Sequence, residues 1–154
     1  YAPVVSENVY NMLSRSLDDE VVPCIEWHRL GLTVYNPLAG GLLTGKHRKG
    51  SFAENCRLSS DKGYIARYCK EQNLNALNTI IEIAGEANLS PVALAYQWLL
   101  SKEFITSIIC GVSSLGQLEE NLAACMGPAP ALESLVQCDE IWDDIKGDYY
   151  NCHY

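Results

Sequence analysis

Residues 35–46 read Tyr35-Asn36-Pro37-Leu38-Ala39-Gly40-Gly41-Leu42-Leu43-Thr44-Gly45-Lys46, and no other stretch narrows the choice of fold as much. An apolar run, Leu30 to Val34, precedes it and reads as a buried strand. The chain then turns at a proline and passes two adjacent glycines, a third glycine and a lysine. A glycine pair lets backbone amides approach an anion with no Cβ in the way, and a lysine supplies the counter-charge. The letters describe a strand feeding a phosphate cradle. A glycine-rich turn that holds no ligand would account for them as well.

A second strand, Ile105 to Cys110, breaks at glycine and runs into Gly111-Val112-Ser113-Ser114-Leu115-Gly116-Gln117-Leu118-Glu119-Glu120-Asn121-Leu122. The two serines offer an N-cap, and a helix N-terminus with free amides is an anion site. Gln117, Glu120 and Asn121 fall at i, i+3 and i+4 and share one face. An ordinary capped surface helix fits this segment too.

Taken together and in this order, the two motifs resemble the aldo-keto reductases. The likeness is greatest to the aflatoxin-aldehyde reductases, which carry a near-identical YNPLAGGLLTGK and an SSLxQLExNLAA run. It continues through Tyr10-Asn11, Pro23-Cys24, the segment Ser90 to Ser101 and Ile141-Trp142, and so covers essentially the whole chain. The resemblance implies an α/β fold of the (β/α)8, or TIM-barrel, kind, with both loops gripping NADPH at the C-terminal end of the barrel. Tyr35 would stack on the nicotinamide. Asn36, Pro37, Leu38, Gly40, Leu42 and Lys46 would line the pyrophosphate, and Ser113, Gln117, Glu120 and Asn121 would hold the adenosine end.

Length limits what the resemblance can deliver. A whole barrel of this type takes about 250 residues, and this chain has 154. Against the family it starts just before the sixth barrel strand. The family's catalytic Asp, Tyr, Lys and His lie on earlier strands, so the expectation is a single partial-barrel domain over 1–154, without the tetrad. It would hold about three parallel βα units and a C-terminal helix. Such a piece exposes unpaired strand edges and a wet inner face. Self-association is expected to complete it, with a complementing half-barrel on another chain, or repacking of the termini across the open edge, as the alternatives.

Where the family places a glutamine for the nicotinamide carboxamide, this sequence has Glu7, which cannot donate to the carboxamide oxygen. Segment 113–121 contains no arginine for an adenosine phosphate, which leaves Lys46, Lys49 or Arg57 to meet that charge. If the chain does acid–base work of its own, Glu7, Tyr10 and His47 are the weak catalytic candidates, gathered with Tyr35 near one strand end. Tyr10 and Tyr35 read, more simply, as large apolar wall residues, and that reading is preferred. His28, beside Trp27 on an amphipathic segment, reads as packing or surface.

A net charge of −8 argues against nucleic acid and against anionic membranes as partners, which leaves a small-molecule ligand. No run of eighteen apolar residues and no signal pattern is present, so a cytoplasmic location is expected. Seven cysteines without ligand spacing predict no metal site and reduced thiols that mostly fill the core.

Along the chain, the pattern predicts a strand over 3–9, a helix capped by Ser16 or Asp18 and stopped by Gly31, and an exposed loop over 47–62. Helix follows from about Tyr64 to Ala87 with a break near Gln72-Asn73, then a turn at Asn88-Leu89. A helix opens on Ser90-Pro91. Helices over 115–125 and about 131–145 come last, before a tyrosine-rich tail from Asp148 that is frayed or docked on the barrel mouth. Three functional readings fit: the NADPH-binding part of a reductase that cannot reduce carbonyls alone, a short relative recruited as a cyclase, isomerase or lyase on an apolar metabolite, or a non-catalytic binding or scaffold protein.

Overall fold

Leu32 and Val34 are fully buried, whereas Tyr35 beside them is exposed and Thr33 only half-buried. That alternation gives the sheet one packed face and one open face. In the computed structural model, which describes residues 2–47 and 57–147, three parallel strands form a sheet in the order β1-β2-β3. They are β1 (Val5–Val9), β2 (Gly31–Tyr35) and β3 (Ser107–Ile108). Val5 pairs with Gly31 and Val9 with Tyr35, while Thr33 pairs with Ser107. Bonds from Thr106 N to Leu32 O and from Ile109 N to Val34 O, both 2.8 Å, prolong the short β3 ladder.

Helices make both crossovers, as parallel strands require. Helix α1 (Val21–His28) joins β1 to β2, and α2 (Arg57–Ser60), α3 (Lys62–Tyr68), α4 (Glu71–Glu86) and α5 (Pro91–Leu100) lie between β2 and β3. Helices α6 (Leu115–Met126) and α7 (Leu132–Ile145) follow. The core sits between the sheet's packed face and these helices, with Tyr10, Leu13, Leu43, Leu77, Ile80 and Trp98 fully buried. The expected partial barrel of three parallel βα units is what the structure shows, wet inner face included: Val5 is 54% exposed and Glu7 is also open to solvent.

Several boundaries differ from expectation for identifiable reasons. Helix α1 starts at Val21, because Asp18 is engaged elsewhere: its carboxylate accepts from Tyr10 OH at 2.7 Å and Arg15 Nε at 2.9 Å. Arg29, at φ 52°, ends α1 in the left-handed cap position, and Gly31 begins β2 instead of stopping the helix. The helix break falls at Cys69-Lys70, and Asn73 Nδ2 takes up the Tyr68 carbonyl at 3.2 Å. Ser90 caps α5 as expected, its hydroxyl accepting from Ala93 N at 3.0 Å, with Pro91 in the first turn.

Helix α2 lies within the segment read as loop, most of which is outside the described residues, as is the tail from Asp148. The thiols correct the expectation of a mostly core-filling role. All five described cysteines are free, but only Cys138 is buried, and Cys24 and Cys110 are exposed.

Candidate functional site at the strand ends

Beyond β2 the chain enters a tight 3-10 turn, Ala39–Thr44, that depends on left-handed backbone. Asn36, Ala39, Gly40, Gly41 and Gly45 all have positive φ. Asn36 holds its own strained conformation through both ends of its amide. Its Oδ1 accepts from Gly40 N at 2.7 Å, and its Nδ2 donates to Tyr68 OH at 2.7 Å. Asn11, fully buried, donates to the Asn36 carbonyl at 3.0 Å and to Tyr68 OH at 3.4 Å. A satisfied buried network of this kind fixes one loop geometry.

The glycines serve packing as well as turning. A Cβ at Gly40 would come within 2.5 Å of the Tyr64 ring, and one at Gly45 within 3.0 Å of Pro91. The two amides assigned on sequence to an anion already have internal acceptors: Gly40 N on Asn36 Oδ1 and Gly41 N on Leu38 O at 2.9 Å. What the turn offers outward is Lys46, whose side chain is 60% exposed, while Gly40, Gly41 and Gly45 are half-buried.

At the end of β3, residues 109–120 are all exposed. Ser114 caps α6, accepting from Gln117 N at 3.3 Å, while Ser113 gives both its amide (2.8 Å) and its hydroxyl (3.0 Å) to Gln117 Oε1. Asn121, buried, donates to Cys110 Sγ at 3.1 Å, and Tyr96 OH donates to the same sulfur at 3.3 Å. Burial first, then the bond to Cys110, pushes the Tyr96 phenol up, and burial with the Cys110 charge raises the Cys125 thiol. The two loops meet: Lys46 Nζ lies 3.9 Å from Glu120 Oε2.

Of the weak catalytic candidates, Tyr10 lies next to Tyr35 at the strand end, its amide donating to Tyr35 O at 3.3 Å, but Glu7 and Tyr10 fall on opposite faces of the sheet. Glu7 stands exposed on the open sheet face. Tyr10 is buried on the packed side, stacked on Trp98 at 5.6 Å and donating to Asp18. Burial, reinforced by the Asp18 hydrogen bond and charge, holds its phenol far above the ordinary range. His47 is buried behind the glycine turn, and burial together with the Lys46 charge lowers its pKa. Tyr10 is therefore the wall residue of the two readings, whereas Tyr35 presents its ring at 38% exposure.

Two contributors escaped sequence reading. Tyr68 is not singled out by the sequence, and Asn11 enters only with the family resemblance, yet both bond Asn36 and hold it in place. Buried Asn adjoining an apolar helix was the available signal, and only the fold pairs them.

Beyond the carboxyl ends of the parallel strands lie an exposed lysine loosely paired to a carboxylate, exposed serines at a helix N-terminus, and an exposed tyrosine ring. Among the described residues no group of three or more His, Cys, Asp or Glu is placed to hold a metal. No helix of the described residues is long and apolar enough to cross a membrane.

Three parallel strands joined by helical crossovers define a partial TIM-barrel α/β protein. The aldo/keto reductase family model matches residues 1–143, and the chain belongs to that family. It is 32% identical over 142 residues to L-glyceraldehyde 3-phosphate reductase of Escherichia coli O157:H7, covering 89% of this chain and 41% of that protein. Rat aflatoxin B1 aldehyde reductase member 2 is 35% identical over 141 residues, covering 79% and 37%. A rice protein described as a probable voltage-gated potassium channel subunit beta is 34% identical over 125 residues, covering 79% and 38%. Among solved structures, a glycerol dehydrogenase from Gluconobacter oxydans superposes with TM-score 0.72 at 23% identity, over 91% of this chain and 42% of that one. The chain thus spans about two fifths of the length of these relatives.

Proposed function

We propose that this chain is the NADPH-binding part of an aldo-keto reductase barrel and does not reduce carbonyls without catalytic groups supplied from outside it. One observation carries the reading: Lys46 and Glu120 place the glycine turn and the α6 N-terminus side by side. When bound, the cofactor supplies a hydride. The chain's own residues hold it. Tyr35 offers a ring for the nicotinamide, and Asn36, Pro37, Leu38, Gly40 and Leu42 shape the wall along the pyrophosphate. Lys46 exchanges its loose contact with Glu120 for a phosphate, and Ser113, Gln117 and Asn121 border the adenosine end. Glu7, on the same open face as Tyr35, adds a negative charge near an anionic ligand and weakens the grip.

The test is a titration with NADPH, read by quenching of Tyr and Trp fluorescence. Saturable quenching is expected, weakened about tenfold by Lys46→Met, which corresponds to about 1.4 kcal/mol for one lost charge–phosphate contact. Aldehyde reduction by the chain alone is expected to be undetectable. Absence of saturable quenching, or an affinity indifferent to Lys46→Met, would overturn the proposal.

A further inference from the structure

Glu7 stands opposite Thr33 in the sheet register, and Thr33 stands opposite Ser107. Opposite residues of paired strands share a face, so a carboxylate and two hydroxyls lie abreast on the open face, on strands about 4.8 Å apart. Glu7 and Ser107 are exposed and Thr33 is half-buried. Among the described residues none of these three side chains has a hydrogen-bond or ion-pair partner. Two residues further on, toward the strand ends and on the same face, come Val9, Tyr35 and Ile109, the last two 38% and 42% exposed. Glu7 and Tyr35 are thus diagonal neighbours, and strand spacing and rise put their Cα atoms about 8 Å apart, within reach of two long side chains. The two rows form a flat bed with an aromatic ring at one end and a negative charge beside it. A tyrosine face attracts a cation, a carboxylate attracts it further, and the hydroxyls can donate to or accept from an amide. A neutral ring gains only the stacking.

We propose that this bed selects by charge: it takes the cationic, oxidised nicotinamide ring in preference to the neutral, reduced one, with Glu7 as the discriminating residue and Thr33 and Ser107 toward the carboxamide. The inference rests on the placement of the nicotinamide at Tyr35 under the proposed function, and not on the phosphate contact at Lys46. A neutral amide at position 7 would meet both ring states alike. A carboxylate separates them, because only the oxidised ring carries a charge for it to attract. The same charge that weakens the grip on the phosphates therefore favours one redox state of the ring over the other.

The experiment isolates the ring from the phosphates by titrating the chain with the 1-methylnicotinamide cation and, separately, with neutral nicotinamide. Backbone amide chemical shifts are followed by nuclear magnetic resonance. The cation should move the amides of Glu7, Thr33 and Tyr35 and bind about fivefold more tightly than nicotinamide, the scale of one solvent-screened charge contact. Glu7→Gln should erase the difference, and it should keep the fold because the side chain already meets solvent. Glu86→Gln, exposed on α4, should leave the difference intact. Two results overturn the proposal: no shifts at these amides with the cation, or a cation preference that is absent or survives Glu7→Gln. The NADPH titration with Lys46→Met is read separately. A cation preference without a Lys46-dependent affinity sinks the phosphate grip alone, and the converse sinks the charge selection alone.

Discussion

At Gly40 the backbone sits at φ 69° with the Tyr64 ring where a Cβ would go, so two separate costs meet at one atom. Gly40→Ala should lower stability by about 1–3 kcal/mol from left-handed strain alone, with ring displacement added. Gly85, inside α4 with nothing within 4 Å of its Cβ position, makes the opposite case. Gly85→Ala should raise stability by about 0.5–1 kcal/mol through helix propensity. Urea midpoints of the two variants check both signs. His47 adds a pH dependence. Its folded pKa lies below the ordinary value, so the unfolded chain binds the extra proton first. Its contribution is whole above the unfolded value of about 6.5 and is lost as pH falls through it toward the folded value. The urea midpoint should drop between pH 7 and pH 5, and His47→Gln should reduce that drop. The glycines were legible as special in the sequence. Their reason was not, because the Tyr64 and Pro91 contacts are long-range in the chain.

One carboxylate ties α7 to α5 and to the connections that follow β1 and α5. Asp139 on α7 accepts from Arg15 Nη1 at 2.7 Å, from Lys102 Nζ at 2.8 Å and from Trp98 Nε1 at 3.0 Å. Arg15 and Lys102 also flank the Trp98 ring, at 5.2 and 4.7 Å. Burial disfavours the charge on Asp139, but the Lys102 and Trp98 hydrogen bonds and the two cations outweigh it and hold the carboxyl below its usual range. Its folded pKa is depressed, so the stabilisation is present above the unfolded value of about 3.9 and is lost as pH falls below that. Asp139→Asn should cost about 1–2 kcal/mol, a figure kept low because solvent screens a side chain more than a third exposed. The cost should shrink below pH 4, measured by urea denaturation across pH. The capping logic that located α5 and α6 failed for α1 for the same kind of reason. Serine at 90 and 114 is free to cap, whereas Asp18 is drawn into the Tyr10–Arg15 end of this network.

At the scale of the fold, among the described residues β2 has a neighbour on each side, and β1 and β3 each have one. The sheet's order, direction and open face were legible because glycine-punctuated apolar runs and the family motifs specify parallel βα units. The shortness of β3 was not, since Thr106 and Ile109 bond to β2 without completing a regular ladder. This asymmetry predicts a gradient in hydrogen exchange. Amides of β2 and of α5, whose residues Leu94–Leu99 are all buried, should exchange only through global unfolding. Outward-facing amides of β1 and β3 should exchange by local fraying, at least about 2 kcal/mol more easily, because no strand among the described residues accepts from them. If the isolated chain already protects its outer strands as well as β2, those edges are paired in solution by another copy, and the open-edged account of the molecule fails.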